Sequence, residues 1–453
     1  MAISRRQLIA GGGALGAGTL LGACGTSAAD PHTITIWNNL PDAHQVAYFR
    51  RHFAEGYRRS GGRLPVRFTN KPSNTIDRLI QTSLAAGSGP SVIVTPGPSS
   101  FVSAYDSAGY LVDLTEYAQR YGWRRKFAAW ALAASEVDGR LVTLPTSYET
   151  MVFYTNPATL DRLGLEAPGT REEFEHFCAE AKGRGLVPVA AGNADYKGAN
   201  EWHVGVGLNH AAGPEAVHAA LRGETRWTDP VFVDAVEQLA SYFKKGWFGG
   251  SVDRYLTNGF PAVYRQLANG RAAAMISGSW EFSNLAQYFG KSAGNDADWA
   301  WHTVPSLRRG VPTQVWDLAI GQSAGVNTRA GNVAATVDYL DFLTTDKPAI
   351  VAGVERVAFE PPPIRITASD FSEAADPRVV RLYAGLSAAR SIGYTTWTFF
   401  PPTTETYMID YFENVITGRM SAHEYCAGIQ SRFAAERAQG RVPTAPRPDG
   451  GLS

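Results

Sequence analysis

Three kinds of side chain in this sequence carry chemistry that their neighbours make specific. The first is Cys24, which closes the run Leu21-Gly22-Ala23-Cys24. Small residues before a cysteine at the end of an apolar stretch let a lipoprotein signal peptidase cut there, leaving the thiol to carry acyl chains. The second is a group of tryptophans within an aromatic content of 11%. Several stand beside Gly, Asn, Asp or Glu in predicted loops, where an indole face serves stacking on a ligand better than packing. The third is the pair Cys178 and Cys426, in predicted helices over 171–184 and 421–437. An oxidising exterior permits a disulfide, but nothing in the sequence brings the two Cα atoms within bridging distance, and two buried free thiols are favoured. No CxxC or Cys/His spacing suggests zinc, and neither metal nor cofactor is expected.

The segment that delivers Cys24 opens Ser4-Arg5-Arg6-Gln7-Leu8-Ile9, and its apolar run from Leu8 to Ala23 is sixteen residues long with six glycines. A bilayer span needs about 20 apolar residues. Residues 1–23 therefore read as a cleaved signal peptide, and 24–32 as a polar tether. The paired arginines resemble a twin-arginine signal, which would export a folded chain; the general secretory route is the alternative. The expected location is the extracytoplasmic face of the cell membrane, through lipid at Cys24.

The 430 residues that remain of 453 exceed one core and suffice for two. Lys+Arg and Asp+Glu are equal at 42 each, so no net field favours nucleic acid, an anionic surface or a polyanion, and the expected ligand is neutral.

Thr33-Ile34-Thr35-Ile36-Trp37 alternates like a strand and stops at Asn38-Asn39. Val46, Phe49, Phe53 and Tyr57 have helical spacing, residues 64–68 form the next strand, 75–86 a helix, and Ser91-Val92-Ile93-Val94 a buried strand. Such alternation within 65 residues is an α/β signature with a mostly parallel sheet, whose ligand crevice lies beyond the carboxyl ends of the strands. That places Asn38-Asn39 and Thr95-Pro96-Gly97 at one edge. A second α/β pattern begins near Thr150, with a capping box at Thr170 and Glu173, strands over 187–190 and 272–276, and a helix over 231–245. The Pro- and Gly-containing tail 441–453 is expected to be disordered.

In this order the segments resemble the extracellular solute-binding protein family 1, the carbohydrate-binding lipoproteins of ABC importers. The resemblance rests on Ile34-Thr35-Ile36-Trp37-Asn38, Gly89-Pro90-Ser91-Val92-Ile93, Asp138-Gly139-Arg140-Leu141-Val142-Thr143-Leu144-Pro145, and Phe153-Tyr154-Thr155-Asn156. It continues with Asn269-Gly270-Arg271-Ala272-Ala273-Ala274-Met275, Gly278-Ser279-Trp280, Ala324-Gly325-Val326-Asn327 and Gly418-Arg419-Met420-Ser421. It implies a two-lobed periplasmic-binding-protein-like fold of type II. Each lobe would be a mixed, mostly parallel sheet flanked by helices, joined to the other by a hinge. Crossings fall near 146–150, 303–307 and 351–357, so that one lobe holds 33–148 plus 304–352 and the other 149–303 plus 353–440. It further implies a monomer that captures a neutral sugar or short oligosaccharide and delivers it to a membrane permease, with no enzymatic activity.

A sugar presents hydroxyls at its rim and C–H faces above and below, so its site needs aromatic platforms with carboxylates and amides in one plane. The family supplies a stacking tryptophan where Trp280 stands, and Glu149 at the first crossing would accept two hydroxyls, beside Tyr148. Trp316 and Asp317 follow the second crossing; Trp202, with its neighbours Glu201 and His203, and the stretch Asn38 to Asp42 face from opposite lobes. Trp397 and Glu405 flank Phe399-Phe400-Pro401-Pro402, a loop that approaches the cleft in relatives. Where maltose-binding relatives carry charged and aromatic residues after the Gly-Pro strand, this chain has Thr95-Pro96-Gly97-Pro98-Ser99-Ser100, which argues against maltodextrin.

Two other classes remain open. An exported glycan-active hydrolase would need paired carboxylates, for which Glu149 and Asp317 are the available choice. A glycerophosphodiester receptor would show an Arg or Lys cluster and a polyamine receptor a carboxylate cage. Neither is visible among the candidate loops, and Tyr154 alone does not make an iron site.

Overall fold

The computed structural model describes residues 30–449 apart from 73, 74 and 98. The expected signal peptide, Cys24 and the expected tether before Asp30 lie outside the described residues. Two sheets organise the rest, and the chain changes from one to the other at Thr150.

The larger sheet has the strand order Ile392–Tyr394, Trp316–Val326, Val92–Pro96, Ile34–Asn38, Val66–Asn70, with Leu144–Glu149 paired to the long strand Trp316–Val326. Ile34–Asn38 runs parallel to both Val66–Asn70 and Val92–Pro96. Val66–Asn70 starts two residues later than the apolar run suggests. Pro65 has no N–H to give the ladder, although its carbonyl still accepts from Ile34 N at 2.9 Å. The helix after the first strand is continuous from Ala43 to Arg59 with a π stretch at Arg50–Ala54, and it buries Tyr48, Phe49, Phe53 and Tyr57.

The smaller sheet has the order Ala300–His302, Met151–Thr155, Ala272–Gly278, Val187–Ala190. Both sheets are mixed and flanked by helices, as expected, but parallel pairings outnumber antiparallel ones only in the first, by three to two. In the second, Val187–Ala190 with Ala272–Gly278 is parallel and the other two pairings are antiparallel. Met151–Thr155 enters directly from the neighbouring sheet, and so needs none of the helical crossover that a parallel partner requires.

Two main cores correspond to the sheets. One gathers Ile34, Ile36, Val92, Val94, Leu144, Ala324 and Val326, and the larger gathers Phe153, Tyr154, Phe174, Phe177, Met275, Phe399 and Phe412 among others. The long strand serves both, since Leu318 and Ile320 at its start pack in the larger core and Ala324 and Val326 at its end in the smaller. Cys178 and Cys426 are buried and unpaired. The capping box at Thr170 and Glu173 is formed.

The tail corrects the sequence reading as far as Asp449. Ile392 N donates to Pro448 O at 3.0 Å and Tyr394 Oη to Pro446 O at 2.6 Å, while Val442 and Ala445 pack on the larger core. The tail covers the open edge of Ile392–Tyr394, and its prolines make that ordering cheaper than composition suggests.

Candidate ligand-binding site

The carboxyl ends of strands from both sheets open on a single cavity of about 660 Å³, a volume suited to a small organic ligand. Asn38, Pro96 and Gly97 reach it from the ends of the first and third strands, and Glu149 from the end of Leu144–Glu149. Trp280 enters two residues past the end of Ala272–Gly278. The crevice thus lies where the strand directions place it.

Three tryptophans form one wall. The Trp280 ring lies 5.0 Å from Trp202 at 54° and 6.2 Å from Trp397 at 70°, and Trp202 stacks on Phe260 at 5.9 Å and 11°. All three indoles are half-buried, so each leaves aromatic surface for a partner. Their backbones are fixed by close approaches. A Cβ on Gly278 would fall 1.9 Å from the Trp280 ring, and one on Gly97, at φ +53°, would fall 2.9 Å from Trp397 O. Glycine is required at both positions for the indoles to lie where they do.

Carboxylates supply most of the remaining chemistry. Glu281, 1% exposed, accepts from Ser277 Oγ at 2.7 Å, Trp280 Nε1 at 3.1 Å and Asn284 Nδ2 at 2.9 Å. Its hydrogen bonds are intramolecular, and it orients Trp280. Glu201, 2% exposed, accepts from Thr396 Oγ1 at 2.6 Å. Burial raises its pKa well above the usual carboxylate range, and the charge of Glu405 raises it further. Glu149 is raised likewise, by burial first and then by the charge of Glu360 and a hydrogen bond to it, with the Trp397 indole N–H opposing. Glu360 accepts from Ser279 Oγ at 2.9 Å and is pushed up to about 7, chiefly by burial.

Amides complete the lining from the first sheet. Asn38, 6% exposed, turns Oδ1 onto Asn39 N at 2.8 Å, and Gln322 Nε2 donates to Asn39 Oδ1 at 2.8 Å. Both Asn39 and Gln322 face the cavity.

Of the residues singled out in the sequence, Asn38, Glu149, Trp202, Trp280, Trp397 and Glu405 line this cavity. Five do not, and each is a correction with a physical reason. His203 is buried against Phe243, Phe248 and Tyr255. Asp42 caps the helix Ala43–Phe49, accepting from His44 N at 2.7 Å and Gln45 N at 2.9 Å. Tyr148 faces the opposite side of its strand, buried 5.6 Å from Tyr383, because successive strand residues alternate faces and Glu149 points to the cavity. Trp316 covers Gly385 and packs 6.0 Å from Trp301. Asp317 is buried against His210 at 2.9 Å, tying the long strand to the π stretch Leu208–Ala212. The pair Glu149 and Asp317, available on sequence for hydrolysis, is therefore not assembled in one cavity.

Glu360, Glu281, Tyr264 and Phe260 line the cavity without having been singled out. Glu281 adjoins Trp280 and Phe260 precedes a Pro at a helix start, both weak local signals. Glu360 stands in a Phe-Glu-Pro-Pro-Pro loop with no periodicity, and only the fold brings it to Glu149.

Residues 42–350 match the model of the bacterial extracellular solute-binding protein family, and the chain belongs to that family. A probable sugar-binding periplasmic protein of Mesorhizobium japonicum is 29% identical over 119 residues, and one of Rhizobium meliloti is 26% identical over 122. These alignments span little more than a quarter of each relative, 28% and 29%, and 26% and 27% of this chain. A chitin oligosaccharide binding protein superposes with a TM-score of 0.73 at 19% identity, covering 90% of this chain and all of that one. A bacterial solute receptor described as having an exclusive preference for β-D-galactopyranose gives 0.72 at 18% identity, covering 89% and 98%. The acarbose-binding GacH receptor of Streptomyces glaucescens gives 0.67 at 18% identity, covering 89% and 97%. At these identities the likeness is one of fold, the two-lobed solute-binding architecture.

Proposed function

We propose that this protein is the extracytoplasmic receptor of an ABC importer, that it captures a sugar or short oligosaccharide in the interlobe cavity, and that it delivers the ligand to a membrane permease. The observation that carries the sugar reading is the pairing of lining types: three tryptophan rings beside Asn38, Asn39, Gln322 and the glutamates. Rings take the apolar C–H faces of a sugar, while amides and carboxyls take its hydroxyls. The relatives described as sugar-binding support the same class.

The expected lobes are 33–148 plus 304–352 and 149–303 plus 353–440. Support comes from the change of sheet at Thr150 and the second change between His302 and Trp316. Closure about these crossings would press the amide wall onto a ligand resting on the tryptophans. Among the described residues no helix is long and apolar enough to cross a membrane, and we assign membrane attachment to lipid on Cys24. Cys24→Ser should release the protein from the membrane fraction; a variant that still sediments with membranes would refute that attachment.

A thermal-shift screen against mono- to tetrasaccharides tests the main proposal. A ligand at 100 times its dissociation constant adds about 2.7 kcal/mol of stability. No shift with any saccharide, together with a shift from a non-sugar solute, would overturn the sugar reading. Steady production of hydrolysed sugar by the purified protein would overturn the receptor reading instead.

A further inference from the structure

The ionisable groups in the cavity are of one sign. Glu149, Asp195, Glu201, Glu281, Glu360 and Glu405 line it, and among the described residues no arginine, lysine or histidine does. Glu149, Glu201 and Glu360 are committed to protein donors in part, accepting from Trp397, Thr396 and Ser279, and Glu281 and Asp195 are committed outright. Glu281 holds its three donors, and Asp195, exposed at the mouth, accepts from Phe260 N at 2.7 Å. The other four form two pairs of like charge, Glu149 with Glu360 and Glu201 with Glu405. Burying adjacent carboxyls is costly unless they are protonated or meet a cation, and a cation would let them stay ionised.

A second observation lies beside the first pair. Ser147, 6% exposed, lines the cavity, and its Oγ has no hydrogen-bond partner. A Cβ built on Gly321 would lie 2.7 Å from Ser147 Oγ and 2.4 Å from Glu149 Oε2. The hydroxyl and the carboxyl therefore converge on the bare Cα of Gly321, where any side chain would obstruct them. With Glu360 hydrogen-bonded to Glu149, three oxygen-bearing groups are gathered at one place. An ammonium has three N–H donors and no acceptor. The Trp397 indole is hydrogen-bonded to Glu149, which brings aromatic surface next to the carboxyls.

We propose that the saccharide carries a protonated amine, and that its ammonium seats on Glu149, Glu360 and Ser147 beside Gly321. This deepens the sugar-receptor reading and rests on it. Net neutrality of the chain gave no hint of such a ligand, because the charges are segregated rather than absent. An arriving ammonium favours the ionised form of both glutamates, whose carboxyls burial raises, so binding releases protons from the pair. Affinity for the amine should then rise as pH increases from 5 to 7.

The test is titration calorimetry with three matched panels: glucosamine, galactosamine and β-1,4-linked glucosamine oligomers; the same compounds N-acetylated; and the parent hexoses with their β-1,4 oligomers. We expect at least one amine to bind about tenfold or more tighter than its N-acetyl and hydroxyl counterparts at pH 7. Its measured heat should vary with buffer ionisation enthalpy, as proton release requires. Glu360→Gln should weaken the amine about tenfold or more and remove its advantage. Gly321→Ala, which blocks the same oxygens, supplies the second variant if Glu360→Gln does not fold. Neutral members binding as tightly as the amines, or tighter, would overturn the amine assignment and leave the sugar receptor standing. No binding by any panel member would overturn it as well. Tight binding of linear polyamines with none of the saccharides would overturn both readings.

Discussion

The two walls of the cavity meet the same ligand with different chemistry. The wall from the six-stranded sheet offers Asn38, Asn39, Gln322, Thr146 and Ser147, which are small, uncharged and able to accept or donate. The wall from the four-stranded sheet and its helices offers Trp202, Trp280, Phe260, Tyr264, Glu201 and Glu281, which bring aromatic area and acceptor-only charge. Glu149 and Glu360 lie at the seam. Apolar area scales with affinity, whereas hydrogen bonds exchanged with water add little net energy and much geometric selection. The aromatic wall should therefore hold the ligand, and the amide wall should decide which ligand is held.

The largest effect should come from the aromatic wall. Trp280→Ala removes the ring that touches both Trp202 and Trp397, and should weaken saccharide binding by about 2–3 kcal/mol. Titration calorimetry reads the loss. An unchanged affinity with a large fall in ligand-free melting temperature would make Trp280 a core residue and dissolve the contrast between the walls. On the other wall, Asn38→Ala and Gln322→Ala should each cost about 0.5–1.5 kcal/mol. Their effect should also differ between sugar epimers, which Trp280→Ala should treat alike. Equal losses across epimers would assign selection to the glutamates.

The seam carries a pH dependence of defined sign. The Glu360 carboxyl is raised by burial from an ordinary value of 4.5 to about 7. A group raised in the folded state contributes its stability below the unfolded value and loses it as pH climbs through the folded one. The ligand-free protein should thus lose stability between about pH 4.5 and 7 on this account. Glu360→Gln should remove that slope and, at pH 8, melt above the parent by an amount equivalent to about 1–2 kcal/mol. Parallel stability profiles for parent and variant would show that solvent already screens the carboxyl.

The aromatic wall was more legible in the sequence than the acidic seam, for a local reason. Gly278-Ser279-Trp280 follows a buried strand directly, and the ring needs the bare Cα of Gly278 beneath it, so motif and geometry are one feature. Asn38 and Glu149 were legible because strand ends in an α/β fold point at the crevice. Tyr148 failed as a site residue on strand phase. A one-residue step moves a side chain to the other face, and loop-like wording around it gave no phase. Asp317 instead shares the face of Ala319, the partner of Glu149, but lies at the start of the strand where His210 takes it. Glu360 was illegible because its importance lies in a partner 211 positions earlier, Glu149, and no short-range pattern encodes that meeting. The second sheet's antiparallel pairings and the docked tail were likewise long-range outcomes.

The smallest effect on binding should come from Asp42, and it sharpens the comparison by its absence. Asp42 sits four residues beyond Asn38 and was grouped with it on sequence, yet its carboxylate is committed to His44 N and Gln45 N at the start of the helix Ala43–Phe49. Asp42→Ala leaves two first-turn N–H groups without that acceptor and should lower stability by about 1 kcal/mol, the usual worth of such a cap. The cavity lining does not include it, so the dissociation constant should move by less than about twofold. Melting and calorimetry on this one variant separate the two properties. A loss of affinity as large as that of Asn38→Ala would extend the amide wall beyond the end of its strand and make the helix start part of the site.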